Sequence, residues 1–194
     1  MIKKYKGTLF LVVGNSGSGK DSIIQGALES YPSQIKRLYA PKRYITRPPS
    51  ETENNISVSP EEFKFLSQEG KFAIEWHIYG LDYGVPIEID DLLRKGHPVA
   101  INVSRKIVPK TREIYENIKV IFIEVPFEIT LKRLRERARE SGKRLNERIE
   151  RAKNNQHYPE ADYSINNTGQ LNDAIEKFIN YIMSVIKNHK HIKI

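Results

Sequence analysis

The sequence predicts an α/β fold in which a central parallel sheet, doubly wound and flanked by helices, carries two inserts. Three observations lead there. The apolar, β-rich segment Thr8–Val13 runs straight into Gly14-Asn15-Ser16-Gly17-Ser18-Gly19-Lys20, after which Ile23, Ile24, Ala27 and Leu28 recur at helical spacing. Two further apolar runs, Pro98–Val103 and Lys119–Val125, have the near-continuous hydrophobicity of strands buried on both faces. Helical stretches separate and follow these runs, which is how parallel strands are connected.

Each remaining segment has its own signal. The first helix breaks near Tyr31-Pro32. Arg43-Tyr44-Ile45-Thr46-Arg47 is a short β-favouring stretch ended by Pro48-Pro49, and its two arginines are candidates for one anionic pocket. Residues 50–57 are polar and predict a loop. Ser59 before Pro60 predicts an N-capped helix that runs towards Gln68 and stops at Gly70. Phe72–His77 predicts a strand, followed by Gly80 and Tyr83-Gly84-Val85-Pro86. Ile87–Lys95 predicts a short helix with Gly96 as its stop.

Pro126 opens a long helix expected to run through Arg139. Ser141-Gly142-Lys143 then interrupts two arginine-bearing helices, in the manner of a hinged lid. Tyr163-Ser164-Ile165 predicts a short strand, Leu171–Ile186 a closing amphipathic helix, and residues 188–194 a basic tail. No internal repeat or long linker divides the chain. One domain spanning residues 1–194 is expected, with an insert at about 43–90 and a lid at about 137–148.

The glycine-rich turn between strand and helix has the chemistry of a phosphate-binding loop. Its glycines let backbone N–H groups converge on phosphate oxygens, and the helix N-terminus adds its positive dipole end. Gly14 to Lys20 with Asp21 and Ser22 are therefore the candidate nucleotide contacts, and Lys20 reaches the terminal phosphates as a point charge. The residue after such a lysine is ordinarily Ser or Thr, whose hydroxyl binds Mg²⁺. Here it is Asp21, followed by Ser22. Either oxygen is a candidate Mg²⁺ contact, directly or through water, while a plain helix-capping role for Asp21 is the alternative.

Composition narrows the class. Cysteine is absent, which excludes disulfides and thiolate metal sites and fits a cytoplasmic protein. Residues 8–13 are far too few to span a bilayer, so no membrane partner is expected. The formal charge of +8 invites nucleic acid, but its distribution argues against that partner. Residues 131–153 hold ten Lys or Arg against four Glu, an excess of six that is three quarters of the total. One concentrated arginine-rich segment suits a polyphosphate held at a single place. His189 and His191 have no nearby third ligand in sequence and are not expected to bind metal. In an open α/β sheet, ligands sit beyond the carboxyl ends of the strands, which gathers Gly14, Asn102, Ser104, Arg105 and the start of the Pro126 helix around one crevice.

With these pieces in hand, the chain from Thr8 to the last helix resembles the guanylate kinase superfamily. The resemblance implies a kinase acting on small molecules, with ATP and Mg²⁺, and brings in a homodimer as an open alternative to a monomer. Arg133, Arg137 and Arg148 match the family's lid arginines, which contact the ATP adenine and phosphates and close over the reaction. Lys20, Arg137 and Arg148 would be catalytic, and Arg47 matches a phosphate-binding arginine of the acceptor site.

The acceptor site departs from true guanylate kinases. Arg43 stands in place of Ser or Thr, Ser50 in place of a second arginine, a phosphate-binding tyrosine near Asn55 is replaced, and Asn102 and Ser104 replace paired aspartates. Gly-Lys-Asp-Ser, Arg43-Tyr44-Ile45-Thr46-Arg47, Glu53-Asn54, Trp76-His77, Gly80-Leu81, Tyr83-Gly84-Val85, Glu88-Ile89-Asp90 and Asn102-x-Ser104-Arg105 are together similar to the ribose 1,5-bisphosphate phosphokinase branch. That branch serves phosphonate breakdown, passing the γ-phosphoryl of ATP to ribose 1,5-bisphosphate to give 5-phosphoribosyl 1-diphosphate. The implied acceptor contacts are Arg43, Tyr44, Arg47, Glu53, Asn54, Glu75, His77, Tyr83, Gly84, Asn102, Ser104 and Arg105. Charge agrees, because an acceptor with two phosphates and no base calls for cations in place of base-reading groups. Glu75 points elsewhere, matching the glutamate that reads guanine in guanylate kinases, and keeps a GMP kinase open. A nucleotide-binding module without catalysis is the third alternative.

Overall fold

The computed structural model describes residues 2–49, 55–136 and 143–191. Arg137, Glu53, Asn54 and residues 137–142 of the expected lid lie outside them.

Four parallel strands form the main sheet: β1 (Leu9–Gly14), β6 (Val99–Asn102), β7 (Ile118–Glu124) and β8 (Tyr163–Asn166), in the spatial order β6-β1-β7-β8. Strand alternation sorts their side chains into two cores. Phe10, Val12, Ile121 and Ile123 face one way, onto α1 (Lys20–Ser30) and α7 (Leu171–His191). Leu9, Leu11, Val13, Val120 and Phe122 face the other, onto α3 (Ile89–Arg94) and α4 (Val108–Ile114). Helices on both faces are what runs as apolar as Leu9–Val13 require. At Gly26 the first helix comes so close to the last that a Cβ would lie 2.2 Å from Ile175 Cδ1.

The insert is a second sheet. β2 (Tyr44–Ile45), β3 (Ile56–Ser57), β4 (Phe72–Ile78) and β5 (Leu81–Pro86) lie in the order β3-β2-β5-β4, and α2 (Pro60–Gln68) packs on it. Ser59 caps α2 by accepting from the Glu62 N–H at 3.1 Å, and Gly70 ends the segment at φ +65°. One face carries an aromatic cluster in which Phe63 and Phe72 stack at 4.6 Å and Tyr44 leans on Phe72 at 5.3 Å. Gly84 lies beneath Phe72, where a Cβ would come within 2.6 Å of the ring.

After β7, α5 (Phe127–Glu136) and α6 (Lys143–Asn154) are the two arginine-bearing helices. The structure adds, among the described residues, elements that the sequence did not announce: β3 within the expected polar loop, β5, a 3₁₀ turn at Arg105–Ile107, and α4. Among the described residues, no helix is long and apolar enough to cross a membrane.

Candidate active site

The phosphate loop turns at the carboxyl end of β1, as β1–turn–α1 demands. Gly17 and Gly19 have φ of +84° and +89°, a region in which L side chains are strained. Gly19 is also pressed against Asn167, whose Nδ2 donates to the Ser18 carbonyl at 2.8 Å. Arg133 braces the same turn from behind, donating to the Gly17 and Asn167 carbonyls at 3.3 Å each. The Lys20 ammonium folds over the loop, donating to the carbonyls of Asn15 at 2.8 Å and Gly14 at 3.0 Å.

In front of the loop opens a cavity of about 340 Å³ between the main sheet, the insert and α6. Its cations are Lys20, Arg43, Arg47, Arg105, Lys106, Arg148 and Arg151, and among the described residues its single carboxylate is Asp21. Trp76, Tyr79 and Tyr83 supply aromatic wall, the first and last stacked at 5.0 Å with rings 5° from parallel. Seven positive groups against one negative group make a site for a polyanion.

On the floor, Asp21 Oδ1 accepts from Asn102 Nδ2 at 2.8 Å and from the Arg43 guanidinium at 3.4 Å. Arg43 also donates to the Asn102 carbonyl at 2.8 Å. Helix α1, strand β6 and the start of the insert thus meet in one three-residue network.

A second network joins the loop to α6. Arg105 donates to Asn15 Oδ1 and to the Asn155 carbonyl at 3.0 Å each, and its Cζ lies 4.8 Å from the centroid of the Phe122 ring. Asn15 Nδ2 completes it by donating to the carbonyls of Asn155 at 3.1 Å and Ala152 at 3.2 Å. Burial lowers the Arg105 pKa from its ordinary value, with neighbouring Arg151 pulling the same way. A guanidinium stays charged through such a shift and stabilises the carbonyl end of α6. Further along α6, Arg148 donates to Ser16 Oγ at 3.0 Å.

Of the residues expected at the site, the cavity wall gathers Gly14, Asn15, Ser16, Gly17, Gly19, Lys20, Asp21, Arg43, Arg47, Tyr83, Asn102, Ser104, Arg105 and Arg148. Ser18 is fully buried beneath the loop. Four expected acceptor contacts lie elsewhere. Tyr44 and Gly84 belong to the aromatic cluster on the insert's other face. Glu75 and His77 alternate with Trp76 and Ile78 along β4 and so point away from the cavity. Glu75 accepts instead from Ser67 Oγ at 2.8 Å, and His77 Nδ1 pairs with Asp82 at 2.7 Å. Ser22 is exposed on α1 outside the cavity wall, which leaves Asp21 as the candidate metal contact.

The sequence reading passed over Tyr79, Lys106, Arg151 and Asn155, all of which line the cavity. Arg151 had a signal, since it lies three residues after Arg148 on a helix and shares its face.

Among the described residues, no cluster of three His, Asp or Glu could cage a metal ion. One carboxylate beside a phosphate loop is nevertheless a fitting donor set for Mg²⁺, which takes one or two carboxylates and fills its octahedron with phosphates and water. Asp21, held by Asn102, is the candidate for that carboxylate.

Comparison with known proteins agrees with this geometry. Residues 6–185 match the guanylate kinase family model. Ribose 1,5-bisphosphate phosphokinase PhnN of Bradyrhizobium diazoefficiens is 38% identical over 163 residues, covering 84% of this chain and 81% of that protein. PhnN of Pectobacterium atrosepticum is 38% identical over 173 residues, covering 88% and 90%. Among solved structures, guanylate kinase from Anaplasma phagocytophilum superposes with a TM-score of 0.66 at 20% identity, covering 95% of this chain and 88% of that one, which speaks for the fold. The chain belongs to the guanylate kinase family and, within it, stands with the ribose 1,5-bisphosphate phosphokinases.

Proposed function

We propose that the protein transfers the γ-phosphoryl group of ATP to ribose 1,5-bisphosphate, giving 5-phosphoribosyl 1-diphosphate and ADP. The observation that carries this reading is the charge of the cavity, seven cations against one carboxylate among the described residues, with Glu75 turned outward. An acceptor with two phosphates and no base needs such a lining. A guanine reader would need a carboxylate facing in.

In this reading the nucleotide phosphates lie in the loop, held by its backbone N–H groups and the N-terminus of α1, with Lys20 leaving its carbonyl partners for the terminal phosphates. Arg43, Arg47 and Lys106 hold the acceptor phosphates, and Tyr83 donates a hydroxyl. Arg148 and Arg151 of α6, with Arg137, cover the transferring group. Asp21 would hold the Mg²⁺ that arrives with ATP, an ion that neutralises phosphate charge when bound.

An oxygen of the acceptor's 1-phosphate forms the new bond to the γ-phosphorus as the bond to the β–γ bridging oxygen breaks, and ADP departs with that electron pair. The attacking oxygen is already ionised at neutral pH, so no general base is required. Catalysis is then positioning and stabilisation of spread negative charge. The test is ADP release with ATP and Mg²⁺, offering ribose 1,5-bisphosphate and GMP in parallel. Turnover with the sugar bisphosphate is expected, and turnover with GMP alone would overturn the reading.

A further inference from the structure

The hairpin between β4 and β5 turns through Tyr79-Gly80 alone, since Ile78 pairs with Leu81. Both turn residues have positive φ, +56° and +71°, the pattern of a type I′ turn, which favours Asn, Asp or Gly at each position. Among the described residues, Tyr79 is the one non-glycine at positive φ. A bulky side chain there strains the backbone, and such strain persists where the surroundings or the function hold it in place.

What the turn presents is an aromatic ring within reach of two cations. Arg148 Cζ lies 5.0 Å from the Tyr79 ring centroid and Arg151 Cζ 5.2 Å, both within cation–π range. The two arginines are three residues apart on α6 and leave the same face of the helix. Arg148 goes on to Ser16 of the phosphate loop. An unbroken line of contacts therefore runs from the tip of the insert, through α6, to the loop.

We propose that Tyr79 is a positioning residue whose ring holds Arg148 and Arg151 together over the phosphate loop, tying the acceptor insert to the arginine helix. The ring's negative π-density attracts both guanidinium groups and offsets their mutual repulsion. A turn that served only to reverse the chain would be more stable with glycine. Tyrosine's place here is explained by what its ring does for the arginines. The effect on turnover rests on the kinase reading above, whereas the geometry does not.

The experiment compares Tyr79→Gly and Tyr79→Phe with the parent chain by melting temperature, by calorimetric affinity for a non-hydrolysable ATP analogue, and by ADP release. Tyr79→Gly relieves the strain at positive φ but loses the ring's contacts to Arg148 and Arg151, so its melting temperature should stay within a few degrees of the parent's while its analogue affinity and its kcat/KM for ATP fall about tenfold. Tyr79→Phe keeps the ring and should recover most of that loss. Parent-like analogue affinity in Tyr79→Gly would overturn the proposal, as would a Phe variant no better than the Gly variant. If the parent chain binds the analogue but leaves ribose 1,5-bisphosphate untouched, the acceptor reading fails, and analogue affinity still judges Tyr79.

Discussion

Asn102 Nδ2 donates to Asp21 Oδ1 across 2.8 Å, so the one carboxylate that lines the cavity among the described residues is aimed by a neutral amide from the end of β6. An aspartate at 102 would have set two negative charges against each other where phosphates must bind.

Asn102 is therefore expected to tune Mg²⁺ through Asp21. Groups that orient a metal ligand typically account for about 10- to 100-fold in affinity. Asn102→Ala should raise the free Mg²⁺ needed for half-maximal ADP release by that order, and Asp21→Asn should raise it further. An unchanged Mg²⁺ requirement in both variants would remove Asp21 from the metal site.

Arg47 is expected to act on the acceptor rather than on ATP. A lost hydrogen bond to a charged group costs about 1.5–3 kcal/mol. Arg47→Ala should accordingly raise the acceptor KM by more than about tenfold while the ATP KM holds. Arg47→Lys should recover only part, because an ammonium cannot grip phosphate with two parallel bonds. Equal losses for both substrates would contradict this division.

Glu75 makes the opposite prediction. Its carboxylate is exposed and held by Ser67, on the side of β4 turned from the cavity. Glu75→Ala should leave turnover and acceptor KM within about twofold of the parent, as surface substitutions do. A collapse of activity would mean that Glu75 reaches the substrate.

These residues also mark how far the sequence is legible. The four parallel strands, the phosphate loop and the capped helix at Ser59 are written in local signals: apolar runs, glycine spacing, a serine before a proline. β5 is not. Asp82, Gly84 and Pro86 are poor strand formers, and the segment is a strand because β4 and β2 pair with it from either side. α4 is masked by Pro109, which its first turn tolerates. At the site, the family motifs marked residues between Glu75 and Gly84 but not the way their side chains face. Neighbours along a strand point opposite ways, so Trp76 and Glu75 cannot both enter the cavity. A register shift between Phe72 and Ile74 helps to set which one does, and only the three-dimensional pairing reveals that shift.

Tyr31 offers a prediction away from the site. Its hydroxyl is buried with no hydrogen-bond partner among the described residues, and burial pushes its pKa up to about 12 from 10.0. Removing an unsatisfied hydroxyl stabilises, so Tyr31→Phe should gain about 1 kcal/mol, roughly 3 °C in melting temperature for a chain of this size. The pH dependence follows from the raised folded-state value. Stability is complete below pH 10, where the unfolded tyrosine also keeps its proton, and declines as pH rises towards 12. Tyr158 and Tyr181 are raised in the same way, so the alkaline decline should become shallower in Tyr31→Phe without vanishing. An unchanged slope between pH 10 and 12 would show that Tyr31 titrates normally.

The crowding of seven cations around one cavity of about 340 Å³ reaches beyond catalysis to the lifetime of the protein. Without a polyanion, like charges press outward on the elements that carry them. Whatever binds the native state alone then holds it together by mass action. Degradation draws on the unfolded fraction, and that fraction shrinks as substrate accumulates.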